Sequence, residues 1–121
     1  MAAWSCAQLA ASGKRFDMEK TAFQIELAWD TRKADTNRVK HGIDFAMAAE
    51  VLRDPMALSI LDQEHGRDEE RWFTLGATTT TGQLLAVSHT WEEQSGIAYV
   101  RIISAREATR HERRQYQDNP V

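Results

Sequence analysis

The chain has 121 residues, 42% of them hydrophobic and 27% charged, with a formal net charge of -3 and one cysteine, Cys6. That length holds one compact domain with a modest core, and a lone cysteine excludes a disulfide framework or a cysteine-based metal site, making a reducing, cytoplasmic setting the expectation. No run approaches the roughly 18 apolar residues of a membrane span, and the alanine-rich residues 1–13 lack the basic start of a secretory signal.

The charge is unevenly divided. Residues 31–42 hold four Lys/Arg against one acid, residues 101–121 five against three, and residues 43–100 three against ten. Two basic segments beside an acidic middle suit a protein that grips an anion locally rather than one that coats nucleic acid. The acidic part also suits a basic partner.

Residues 1–22 show no sustained period and form an N-terminal extension, with a short helix at 4–12, to a body covering residues 23–121. In that body Phe23, Ile25, Leu27 and Trp29 alternate with Gln24, Glu26 and Ala28, the pattern of a half-buried strand. Asp30 is an N-cap, residues 33–40 are helical and Gly42 is the left-handed stop. Lys33, Asn37, Lys40 and His41 fall along one side of this helix, which Ala34 and Val39 must hold in place. Asp44 opens a second helix over residues 45–53, striped by Phe45, Ala48, Ala49 and Leu52 and closed at Asp54-Pro55. Strands follow at 56–61, 70–76 and 84–91, separated by an acidic loop at 62–69 and by turns at 78–82 and 92–96.

Residues 97–116 read as a strand turning directly into a basic helix. Ser104 and Glu107 have capping-box spacing, so the helix is expected to start at Ser104, with Arg106, Arg110, Arg113 and Arg114 on one face. Pairing Gly76 with Leu84 sets Arg71 opposite His89; pairing Thr90 with Ala98 sets His89 opposite Tyr99 and Val87 opposite Arg101. Arg71, His89, Tyr99 and Arg101 then share one sheet face, while Trp72, Ala98, Val100 and Ile102 turn to the helices. A slip of one residue would send part of that set to the other side. Arginines inside apolar strands need a carboxylate partner or an anionic ligand.

Trp29-Asp30, Lys33-Ala34, Asn37, Lys40-His41-Gly42-Ile43 and Phe45, then Glu70-Arg71-Trp72 and Gly76, then Arg101-Ile-Ile-Ser-Ala-Arg106 with Ala108, Glu112 and Tyr116, together resemble the BrnT family of type II toxins. The likeness covers roughly residues 25–117 in order and leaves residues 1–22 unexplained. It implies an α+β, RelE-like ribonuclease fold: a mostly antiparallel sheet of four to five strands, with two N-terminal helices and a C-terminal helix packed on one side. It further implies cleavage of RNA to stop translation, and a cognate ribbon-helix-helix antitoxin that binds the toxin and carries it to operator DNA. A homodimer or a toxin–antitoxin heterotetramer is the assembly the resemblance leads one to expect.

Metal-independent RNA cleavage must activate a 2′-hydroxyl, stabilise charge on a five-coordinate phosphorus and protonate a 5′-oxygen. Arg71 and Arg101 suit the phosphate, because a guanidinium fork matches it. His89 suits proton transfer, and so does His41, although a strand histidine between Val87 and Trp91 equally suits a structural role and His41 equally suits a cation at a helix C-terminus. Glu70 is a base or an arginine-orienting group. Lys40, His41, Arg106 and Arg110 are candidates for flanking phosphates and Tyr99 for stacking on a base. The acids at 62–70 have no metal-ligand spacing, so neither metal nor cofactor is expected. A non-catalytic module that bridges an antitoxin or another partner through the same basic surface is the alternative; direct duplex binding by the Arg-rich helix is a third reading that the net negative charge disfavours.

Overall fold

The computed structural model describes residues 14–15, 24–62 and 70–118. The helix expected at 4–12, the position of Phe23 and all but the first residue of the acidic loop lie outside them. In chain order the elements are β1 (Lys14–Arg15), β2 (Gln24–Trp29), α1 (Thr31–His41), α2 (Phe45–Val51), β3 (Leu58–Leu61), β4 (Arg71–Ala77), β5 (Leu84–Thr90), β6 (Glu92–Gln94), β7 (Ile97–Glu107) and α3 (Arg110–Asp118). The fold is α+β, as the resemblance implies. One seven-stranded sheet runs β1-β3-β4-β5-β7-β2, with β6 also on β7, and only β2 and β7 are parallel. The strand count exceeds four to five because β1 and β6, at two and three residues, are too short to carry a detectable period. No helix among the described residues is long and apolar enough to cross a membrane.

Strand alternation sorts the side chains onto two faces. On the first, Trp72, Leu85, Val87, Ala98, Val100, Ile102 and Ala105 pack against Ile43, Phe45, Ala48, Val51 and Leu52 to make the main core. The approach of α2 is close: a Cβ on Gly76 would stand 2.9 Å from Val51 Cγ1 and 3.0 Å from Val51 O, so the strand needs glycine there. On the second face Leu58, Leu75 and Ala86 form a smaller cluster against Tyr116. The helix α3 therefore covers the face opposite α1 and α2, which corrects the expectation of helices on one side only. Its Tyr116 hydroxyl donates to Asp54 Oδ2 at 2.6 Å, and the same oxygen accepts from Ala77 N.

The first helix stands on polar contacts. Asp30 Oδ1 accepts from the amides of Arg32 and Lys33, and Gly42 closes the helix with φ 71° and its N–H on Arg38 O. Val39 does not hold it, being 88% exposed. Its single buried residue is Asn37, which donates to Ile43 O and Ala105 O and accepts from Ala105 N. Because β2 ends at Trp29, paired with Ile102, the edge of β7 would be bare beyond that point; the Asn37 amide supplies the missing ladder partner.

That contact bears on the C-terminal stretch. The helix does not start at Ser104: β7 runs on to Glu107, with Ser88 paired to Ser104 and Ala86 to Arg106. The reciprocal capping pair lies five residues later, where Thr109 N donates to Glu112 Oε1 and Glu112 N to Thr109 Oγ1. Asp44, at the N-cap position of α2, makes no side-chain cap bond; its carboxylate meets Arg38 instead.

Candidate active site

The strand registers differ from the expected ones by odd numbers of residues. Arg71 pairs with Thr90 and Trp72 with His89. The tight turn at Ser95 and Gly96, both with positive φ, pairs Glu93 rather than Thr90 with Ala98, and His89 pairs with Ile102. The first slip is one residue and the second three, so they cancel between β4 and β7. Arg71, Tyr99 and Arg101 still share the second face, and only the residue between them changes. Thr90 takes that place, with its Oγ1 accepting from Arg101 N at 3.0 Å.

His89 belongs to the other face. It is 1% exposed, with Nδ1 2.9 Å from Thr90 O and Nε2 2.6 Å from Thr74 Oγ1. A carbonyl only accepts, so Nδ1 carries the hydrogen. Burial pushes the imidazole down to about 4, against a smaller opposing effect of the Thr90 carbonyl. The ring is thus neutral at pH 7: Nε2 accepts from the Thr74 hydroxyl, which in turn accepts from Ser59 Oγ at 2.9 Å. A histidine sealed under the helices with both nitrogens engaged is not beside Arg71 and Arg101, and the expectation that placed it there is corrected.

What lies over Arg101 is an open cleft of about 710 Å³ lined by Glu26, Ala28, Glu70, Thr90, Trp91, Glu92, Tyr99 and Arg101 among others. Tyr99 and Arg101 project into solvent from alternate positions of β7, beside Glu26 and Ala28 of β2. Glu70 stands at the mouth of β4, its Oε1 accepting from Trp72 Nε1 at 2.9 Å and its carbonyl from Trp91 N. Among the described residues the lining carries three carboxylates and one guanidinium, which makes this part of the cleft a place for acid–base chemistry and a poor attractor of polyanions by itself. Among the described residues no group of three or more His, Cys, Asp or Glu side chains has the arrangement of a metal site.

The remaining candidates divide. Arg106 is held by Glu112 in a two-bond fork at 2.7 and 2.9 Å, an arrangement that holds the Glu112 carboxyl down at about 2 and ties α3 to the sheet. Arg110 is exposed at the start of α3. Lys40 and His41 lie away from the cleft, in a pocket of about 280 Å³ between α1 and the β7 residues Ile103 and Ser104.

Residues 29–112, more than half of the chain, match the family model described as "Ribonuclease toxin, BrnT, of type II toxin-antitoxin system". The chain belongs to the BrnT family. No curated protein matches it. As a BrnT toxin it acts on RNA and has an antitoxin partner. The matched span covers Arg71, Arg101 and the whole of the second-face row. It begins at the last residue of β2, so the pairing of β1 residues Lys14 and Arg15 with Leu58 and Ser59 is a feature of this chain outside it. Sequence reasoning missed Thr90, which was hidden by the register. It named Asn37 but not its role in the ladder, for which the one signal was an amide side chain in a helix with almost nothing apolar to bury.

Proposed function

We propose that this BrnT toxin is a metal-independent endoribonuclease that stops translation by cutting RNA, and that a ribbon-helix-helix antitoxin neutralises it by covering the cleft. The observation that supports the reading best is the row Arg71–Thr90–Arg101 across three neighbouring strands, with Thr90 and Arg101 lining the open cleft. The Arg101 guanidinium binds the scissile phosphate and stabilises the charge that builds on it, with Arg71 supporting from the same row. Glu70 takes the proton from the 2′-hydroxyl as the 2′-oxygen bonds to phosphorus; the bond to the 5′-oxygen breaks and that oxygen takes a proton from water. Tyr99, 43% exposed, stacks on an adjacent base, and Arg110 meets a flanking phosphate. The carboxylates Glu26 and Glu92 at the rim offer partners to basic residues of the antitoxin, so the surface that cuts RNA is the surface the antitoxin closes. Operator DNA is reached through the antitoxin alone.

RNA incubated with the purified protein in a metal chelator tests this. Fragments ending in a 2′,3′-cyclic phosphate and a 5′-hydroxyl are expected, together with arrest of a translation extract. Cleavage that needs an added divalent ion, or fragments with 5′-phosphates, would overturn the mechanism. The idle-module alternative predicts no cleavage at all.

A further inference from the structure

Among the described residues the cleft over Arg101 has more carboxylates than cations in its lining, so a polyanionic substrate gains from positive charge elsewhere. The pocket between α1 and β7 provides it. Arg32, Lys33, Lys40 and His41 line it together with Ser104, and no acid among the described residues does. Among the described residues none of Arg32, Lys33 and Lys40 forms an ion pair, whereas Arg38, on the same helix but not in the pocket lining, is neutralised by Asp35 at 2.6 Å and Asp44 at 3.4 Å. Asp30, two residues before Arg32, has its carboxylate turned to the helix amides. The pocket forms where β2 has stopped at Trp29, opposite Ile102, and the pairing of β5 with β7 shifts register at Ser88 and His89, leaving Ile103 and Ser104 half-buried beside a helix pinned by Asn37. Ser104 lies only three residues past Arg101, about 10 Å along an extended strand.

Resting on the ribonuclease reading above, we infer that this pocket is a second phosphate subsite, which holds the backbone of the same RNA strand one or more nucleotides away from the bond cut over Arg101. Lys33 and Lys40 supply point charges, the Ser104 hydroxyl donates a hydrogen bond, and the subsite contributes affinity without reading bases. Cleft and pocket then divide the work: the first positions one phosphodiester for reaction, and the second offsets the repulsion of its carboxylates.

The test is binding of a labelled single-stranded RNA whose 2′-hydroxyls are methylated, so that it cannot be cut, measured over a range of salt with the full chain. Lys33→Ala/Lys40→Ala should lower the slope of log affinity against log salt by about one to one and a half, since each phosphate contact to a single strand contributes about 0.7. Lys33→Glu/Lys40→Glu should lower it further, Arg38→Ala should leave it unchanged, and thermal midpoints report that each variant folds. A slope lowered no more by the double variants than by Arg38→Ala overturns the inference, and so does a loss of antitoxin binding with the RNA slope intact. Failure of the wild-type protein to cut any RNA would end the nuclease reading without altering the slope measurement.

Discussion

The two faces of one sheet differ in kind although they are built from the same strands. The first face carries Trp72, Val87, Ile102 and a histidine, all sealed beneath α1 and α2; the second carries Arg71, Thr90, Tyr99 and Arg101, the last three of which line the open cleft. Neighbouring residues such as His89 and Thr90, both buried, belong to opposite faces for no reason but parity. Register is therefore the quantity that creates the site, and composition is not: the polar residue best suited to proton transfer is spent on a buried network, and a threonine stands between the arginines.

Substitutions on the sealed face should act on stability and those on the open face on RNA. The largest stability effect is expected from Trp72→Ala, which empties a fully buried site and should cost about 3–5 kcal/mol in denaturant unfolding; a loss under 1 kcal/mol would mean the core is not centred there. Next is acid. His89 is neutral in the fold, with its ionisation lowered from 6.5 to about 4, so the unfolded chain binds an extra proton between those values. Stability should be full above pH 6.5 and decline by up to roughly 3 kcal/mol as pH falls toward 4. His89→Gln, compared with wild type in the same pH series, should flatten that decline; an unchanged slope would contradict the buried neutral ring. Asn37→Ala strands Ala105 N–H and two carbonyls and should cost about 2 kcal/mol, with faster amide exchange at Ala105 than at Val100 as the local signature. The smallest effect is expected at the α3 tether. Glu112 is held at about 2 by Arg106, so its contribution persists above pH 4.5 and fades only as pH falls from there toward 2; Glu112→Gln should lower the thermal midpoint slightly at pH 7 and not at all near pH 2.

Much of this was legible in the chain. Asp30 and Gly42 bracket α1 because capping chemistry is local, and the helix-facing set Trp72, Ala98, Val100 and Ile102 follows from alternation within each strand. Legibility failed where a long-range contact outweighs a local signal. Ser104 and Glu107 have the spacing of a cap, yet Asn37, 68 residues away from Ala105, and the pairing with β5 hold that stretch extended, and the same motif operates at Thr109 and Glu112 instead. The hairpin registers failed because turn residues can be counted in more than one way: the positive φ of Ser95 and Gly96 makes a two-residue turn and extends β6 where a longer turn was expected. That Arg71 and Arg101 were nonetheless placed together is owed to two odd slips of opposite consequence.

The most direct measurement is the rate of RNA cleavage by Arg101→Ala beside its thermal midpoint. A phosphate donor at the cleft should give a rate about a hundredfold to a thousandfold lower in a variant that still unfolds cooperatively. Wild-type cleavage by the folded variant would contradict the account.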